Sequence, residues 1–209
     1  MLSLDNTYSA GELRDFDNRV NRLLTEPYEY VCELKIDGVS ISLTYVNGQL
    51  ERAITRGDGV RGDDVTTNVK TIGAIPVRLP EGNYPAEFEV RGEIFMPRAG
   101  FDKMNRQRED EGEPAFANPR NATAGTLKMQ DSAQVARRPL DAYVYYLLGE
   151  DSSGDSHYER LAMLVSWGFK VCEIRARCSG IDQGLEFIND VGRERSQLKY
   201  DIDGVVIKV

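Results

Sequence analysis

The sequence predicts an α+β fold built on antiparallel sheets with flanking helices, and three observations carry that expectation. Two alternating segments, Val39 to Val46 and Leu50 to Thr55, are joined by Asn47-Gly48, the dipeptide that suits a tight hairpin turn. A long alternating segment, Ala86 to Met96, sets Phe88, Val90, Ile94 and Met96 on one face and Glu87, Glu89, Arg91 and Glu93 on the other. That is the pattern of a sheet with one covered and one wetter face. Helical-period segments are scattered among these strands without the regular strand–helix alternation of a doubly wound parallel sheet.

Taken in order, Ser9 followed by Glu12 is a capping-box pattern. Leu13, Phe16, Val20, Leu23 and Leu24 then recur at helical spacing, which predicts an amphipathic helix ending near Thr25. Tyr28 to Asp37 reads as a strand, with Glu33, Lys35 and Asp37 on one face. After the hairpin, Asp63 or Asp64 is placed to cap a short helix through Ile72. Pro97 opens a polar helix running to about Glu111. A loop, Gly112 to Asn118, precedes a small-residue helix around Ala122 to Met129. Leu140 to Leu148 is an aromatic-rich strand. A helix is expected from about Tyr158 to Trp167, a short strand near Val171 to Ile174, a helix from Ile181 to Arg195, and a final strand at Asp203 to Val209.

The composition is that of an ordinary soluble globular chain, with 41% hydrophobic and 29% charged residues. The 209 residues fit one large domain or two small ones. No run is long and apolar enough for a membrane span, and the first residues do not form a secretory signal. Cys32, Cys172 and Cys178 are odd in number and lack paired zinc spacing, so reduced thiols in a cytoplasmic protein are expected. The net charge of -8 argues against nucleic-acid binding by bulk electrostatics, though not against a local basic patch such as Arg106/Arg108 or Arg137-Arg138. The lone His157 follows a Ser/Gly/Asp stretch, so a surface position at a helix start is expected.

The chemistry concentrates at Lys35. An amine on a strand face between two carboxylates, followed by Gly38 for a turn, is a candidate covalent nucleophile. The same seven residues also suit a solvated face carrying two ion pairs. A lysine attacks only when neutral, and its unperturbed pKa is about 10.4. Glu33 and Asp37 would hold it protonated, so a nearby cation is expected to push the other way. Gly57-Asp58-Gly59-Val60-Arg61-Gly62 matches the dinucleotide-binding glycine pattern, but that pattern needs a parallel strand–helix–strand unit. Here it follows a hairpin arm, and Asp58, Asp63 and Asp64 would repel phosphate. A glycine-rich turn that presents Arg56 is the better reading.

The order of the pieces adds a resemblance. Lys35-Ile36-Asp37-Gly38-Val39-Ser40 is followed by Tyr45, Gly48 and Leu50. Thr55-Arg56-Gly57-Asp58-Gly59 and Gly62-Asp63-Asp64 come next. Val90-Arg91-Gly92-Glu93-Ile94-Phe95, Phe116-Ala117-Asn118-Pro119-Arg120-Asn121-Ala122 and Asp203-Gly204-Val205-Val206-Ile207-Lys208 complete the set. Together with Ser3-Leu4-Asp5-Asn6 at the front, this resembles the adenylation domain of bacterial NAD+-dependent DNA ligases over nearly the whole chain.

The resemblance implies a nucleotidyltransferase fold around a nucleotide cleft. Lys35 would attack NAD+ to form AMP-lysine, for transfer to the 5′-phosphate of nicked DNA during replication and repair. It implies that Ser3 and Leu4 line the nucleotide pocket, that Glu33 reads the adenine amino group, and that Asp37 takes ribose or metal. Arg56 would hold ribose or phosphate, Glu93 ribose or metal, and Lys208 the developing phosphate charge. Arg120 would face phosphate of AMP or DNA. NAD+ and Mg2+ or Mn2+ are the implied cofactors, with Asp37 and Glu93 as metal ligands. The implied partner is nicked double-stranded DNA, bound by a monomer.

Residues 1–209 would be an incomplete domain. The nicotinamide-mononucleotide-binding segment would lie before it, and oligonucleotide-fold, zinc and helix-hairpin-helix regions after it. On that expectation the piece alone binds AMP weakly and does not seal nicks. ATP-using nucleic-acid ligases and capping-type transferases share the lysine chemistry, and a non-catalytic adenine-nucleotide-binding fragment is a third alternative. The gaps around Arg56 and Asn118-Pro119-Arg120 favour the NAD+ group.

Overall fold

A computed structural model describes residues 5–149 and 156–209. Helix α1 (Ala10–Leu23) leads into strand β1 (Tyr30–Ile36), the hairpin strands β2 (Val39–Val46) and β3 (Gln49–Thr55), helix α2 (Thr66–Val69) and strand β4 (Glu87–Phe95). Helices α3 (Arg98–Asp110), α4 (Pro119–Leu127) and α5 (Ser132–Val135) precede strand β5 (Asp141–Leu148). Helix α6 (His157–Ser166), strand β6 (Arg175–Cys178), helix α7 (Ile181–Glu194) and strand β7 (Ile202–Lys208) complete the order. The expected α+β class holds: among the described residues the strands form two antiparallel sheets, ordered β6-β1-β7 and β3-β2-β4-β5.

The hairpin forms as its sequence demands. Asn47 and Gly48 both take positive φ, 48° and 74°, the primed-turn geometry that follows the twist of the strands. The largest core lies on the four-stranded sheet, where Leu43, Tyr45, Val90, Ile94 and Leu147 meet Leu161, Leu164 and Trp167 around α6. Val31 of β1 belongs to this same core, which ties the two sheets together. A second cluster joins Tyr30, Cys32 and Cys178 to Leu13 of α1 and Ile181 of α7. The three cysteines are buried and free.

Several local expectations shift. In α1 the Ser9 hydroxyl accepts from the Glu12 amide at 3.2 Å, but the Glu12 carboxylate returns to the Tyr8 amide rather than to that of Ser9. Leu13 is the buried residue of the apolar stripe, whereas Leu23 and Leu24 are exposed, so the covered face is shorter than the periodicity. Asp64 accepts from both the amide and the hydroxyl of Thr66, so the acidic start of α2 is real although Val65 holds the cap position. Helix α4 begins three residues earlier than its small-residue run suggests, because Asn118 caps it and Pro119 fits its first turn. The strand expected at Val171 to Ile174 lies at Arg175–Cys178 instead. Val171 and Cys172 are buried by packing rather than by ladder pairing, while Arg175 to Cys178 pair with Glu33 to Tyr30.

The glycine-rich turn is not a dinucleotide cradle. Gly57 and Gly59 take φ of 56° and 96°, and the Asp58 carboxylate accepts from the amides of Val60 and Arg61 at 2.9 and 2.7 Å. The loop's own acid thereby occupies the amides that a pyrophosphate would need.

Candidate active site

The register of β1 and β7 builds the site. Val31 stands opposite Lys208, Glu33 opposite Val206 and Lys35 opposite Gly204, so Glu33, Lys35 and Lys208 share one face of the three-stranded sheet. That face turns toward the four-stranded sheet, from which β2 brings Ser40, β4 brings Glu93 and β5 brings Tyr145. A register shift falls between Lys35 and Ile36, and Asp37 lies beyond the strand end, with its amide donating to the Asp201 carbonyl at 3.0 Å. The extra residue of that shift is Asp203 of β7, so Asp37 lies just past the paired part of the face that carries Glu33 and Lys35.

The expected charge arrangement is also corrected. Lys35 is not neutralised by Glu33 and Asp37. Its ammonium donates to Asp203 Oδ2 at 2.5 Å, while Asp37 Oδ1 is met by Arg120 Nη1 at 3.2 Å. Glu33 is met by Lys208 Nζ and His157 Nε2, each 2.7 Å from Oε1. Strand neighbours two residues apart are separated by roughly 7 Å, so each carboxylate is won by a cation delivered from another element.

Two clusters result, one on each side along β1. At one end Glu33 is buried. Burial pushes its carboxyl up, but the His157 hydrogen bond and the Lys208 charge outweigh that and hold it below the usual carboxylate range. Lys208 also donates to the Tyr145 carbonyl at 3.0 Å, and its ammonium lies 5.3 Å from the Tyr145 ring centroid. Tyr145 is where the β4–β5 register slips, since Arg91 pairs with Tyr146 and Gly92 with Val144. The bulge turns a carbonyl toward the lysine. Burial lowers Lys208, while Glu33 works against that. Lys208 is thus a half-buried network member rather than an exposed strand-edge charge.

At the other end Ser40 Oγ donates to Glu93 Oε2 at 2.8 Å, across directly paired positions of β2 and β4. Arg91, a conceivable partner for Glu93, pairs with Glu89 at 2.7 Å instead. Burial is the largest influence on Glu93 and pushes its carboxyl up to about 7, with Ser40, Arg120 and Lys35 opposing and Asp37 reinforcing the rise. The sign follows directly. A folded-state value above the unfolded one favours the fold at low pH and is lost as pH rises from about 4.5 to about 7. A shift of this size corresponds to about 3 kcal/mol or slightly more. Glu93→Gln should therefore flatten the decline in stability across this window in denaturant titrations, and be the more stable protein at pH 8.

Arg56 follows β3, half-buried, with its amide donating to the Ser40 carbonyl at 3.0 Å. It is close enough to bear on Tyr145, whose hydroxyl burial pushes up to about 12. Ser3 and Leu4 lie outside the described residues. Four contributors were not assigned roles from the sequence: Ser40, Tyr145, His157 and Asp203. His157 does start a helix, as expected, but its side chain is only 11% exposed and points at Glu33. A lone histidine after a polar stretch gives no hint of a partner 124 positions away. For Asp203 a signal existed: it sits beside Gly204, within the same short motif as Lys208.

This layout, a lysine between a buried carboxylate–cation cluster and a second cluster of two carboxylates and an arginine, sets the context for comparison. The family model described as the NAD-dependent DNA ligase adenylation domain matches residues 1–209. The chain belongs to this family. Among curated proteins, DNA ligase of Parabacteroides distasonis is 54% identical over 209 residues, covering 100% of this chain and 32% of the relative. DNA ligase of Cytophaga hutchinsonii is 51% identical, and that of Flavobacterium psychrophilum is 50% identical, each again across 100% of this chain and 31% of the relative. The adenylation-domain chain thus spans about a third of the length of the curated relatives it matches. Among its described residues no helix is long and apolar enough to cross a membrane, and no group of three or more His, Cys, Asp or Glu is placed to hold a metal ion.

Proposed function

We propose that this adenylation domain charges a ligase with AMP taken from NAD+, with Lys35 as the nucleophile. The observation that carries the reading is the order along β1. Glu33, held in the buried cluster, is a fixed acceptor suited to an adenine amino group. Lys35 follows it, and Asp37, Arg120 and Glu93 lie beyond, where ribose, phosphate and a divalent cation have suitable partners.

In the step itself the Lys35 Nζ–Pα bond forms and the Pα–O bond to nicotinamide mononucleotide breaks. The ammonium must first give up a proton to solvent, and because the Asp203 carboxylate it contacts favours the charged form, that contact must loosen for the neutral amine to attack. Arg56 and Arg120 would hold phosphate or ribose oxygens through forked guanidinium donors. Lys208 would turn its charge toward the phosphate as negative charge develops there. Ser3 and Leu4 would line the nucleotide pocket. Asp37 and Glu93 suit Mg2+ chemically, because magnesium is commonly held by one or two carboxylates together with substrate phosphates. When bound, such an ion would supply charge neutralisation at those phosphates. The AMP would then pass to the 5′-phosphate of a nick in double-stranded DNA, in replication and repair, within a ligase-length cytoplasmic monomer that carries the remaining domains.

The donor decides between this reading and an ATP-using one. A ligase-length protein can be built by setting these 209 residues into the P. distasonis relative. With Mg2+ it should form the AMP adduct from NAD+ more than about 100-fold faster than from ATP, as intact mass spectra over time would show. Charging from ATP at a comparable rate would contradict the proposal.

A further inference from the structure

His157 sits where the function just proposed has no role for it. The Ser156–Glu159 capping box fixes the start of α6, with the Ser156 amide donating to Glu159 Oε2 at 3.0 Å and the Glu159 amide to Ser156 Oγ at 3.2 Å. That locks His157 as the first helical residue. Its ring packs on Tyr146, with centroids 5.9 Å apart and planes 29° from parallel. Nε2 lies 2.7 Å from Glu33 Oε1 and 3.1 Å from Lys208 Nζ.

One nitrogen cannot serve both neighbours. An ammonium only donates and a carboxylate only accepts. A 2.7 Å approach to the carboxylate requires the Nε2 hydrogen to point at Glu33, and a nitrogen that donates there has no lone pair left for Lys208. Lys208 is in any case engaged by the same Oε1 and by the Tyr145 carbonyl. Both donors therefore converge on one carboxylate oxygen, and among the described residues Oε2 is the oxygen left to meet an incoming donor. A carboxylate fixed by two donors from separate elements is a more selective acceptor than one free to rotate, since the cost of ordering it is met before the ligand arrives.

We propose that His157 is a positioning residue for purine recognition: its Nε2–H holds Glu33 Oε1 so that Oε2 accepts from the 6-amino group of adenine. This rests on the reading that Glu33 recognises that amino group.

The test is the affinity ratio of AMP to IMP, which carries a 6-oxo group in place of the amine. Calorimetry or NMR titration of this chain would measure it for the wild type, H157F, H157A and H157Q. Wild type should favour AMP by about tenfold, the value of one well-made hydrogen bond of about 1.4 kcal/mol. H157F keeps the ring on Tyr146 but has no donor, so its ratio should fall to below about twofold, and H157A should match it. Glutamine restores an N–H near the same position and should keep most of the preference. The ratio is read in whichever of the Phe and Ala variants retains a cooperative melt. A wild-type ratio in a folded H157F or H157A would overturn the role of His157 alone, as would an H157Q ratio as low as that of H157F. A wild type that binds AMP and IMP equally would overturn the Glu33 reading and this inference with it.

Discussion

Replacing Lys35 by alanine should abolish the covalent AMP adduct while leaving the fold and AMP binding largely intact. The two halves of this expectation have different causes. Removing a nucleophile that forms the covalent intermediate leaves no group to take its place, and such deletions cost on the order of 10⁶ in rate. The stability cost is small. The Lys35–Asp203 pair is substantially exposed, with side chains 41% and 38% accessible, and pairs of this kind contribute about 0–1 kcal/mol. AMP is expected to be held chiefly by Glu33, Arg56 and Glu93, which the substitution leaves in place. Intact mass spectra of a ligase-length protein, together with an AMP titration and a urea melt of this chain, separate these effects. An adduct in the variant, or a collapse of the fold, would contradict the assignment.

Lys208→Ala should behave oppositely, as a stability variant as much as a functional one. Its ammonium is 2.7 Å from a carboxylate whose side chain is only 6% exposed, so among the described residues truncation leaves Glu33 buried with His157 alone. Breaking a buried pair in this way costs about 3–5 kcal/mol, far more than losing the Lys35 pair. The pH dependence should change with it. In the wild type Glu33 lies below its ordinary value, so its contribution is present at neutral pH and is lost on acidification. Without Lys208, burial goes unopposed by that charge and lifts the carboxyl. The variant should then recover relative stability as pH falls toward 5. Adding Glu33→Gln to Lys208→Ala should restore part of the loss at pH 7, because the uncompensated charge is gone. A double-mutant cycle by denaturant unfolding measures this, and additive losses would show that the pair is not coupled.

Much of the fold was legible because local signals and tertiary demands agree. The Asn47-Gly48 turn, the alternation of Glu87 to Phe95 and the helical period of Ile181 to Glu194 each describe one element whose buried face matches its pattern. Legibility failed where burial and pairing part company. Val171 and Cys172 look like a strand because they are apolar and buried, yet the ladder bonds go to Arg175–Cys178. In the site, Lys35 stood out on its own strand face, the family resemblance implied Asp37, Glu93 and Arg120, and the four lie near one another at the end of β1. The pairing could not be read. Glu33, Lys35 and Asp37 are neighbours in sequence, and each takes its partner from a distant segment: α6 and β7, β7, and α4. The bulge at Tyr145 and the inward turn of His157 are likewise products of two sheets meeting, and no periodicity within either segment encodes them.

The central claim is that the Lys35 amine is the atom that takes AMP. The most direct measurement is peptide mapping of the AMP adduct formed by the ligase-length protein with NAD+ and Mg2+, beside its Lys35→Ala counterpart. The account predicts a single AMP-sized increment on the peptide containing Lys35 and none in the variant. An adduct on another residue, or one that persists without Lys35, would contradict it.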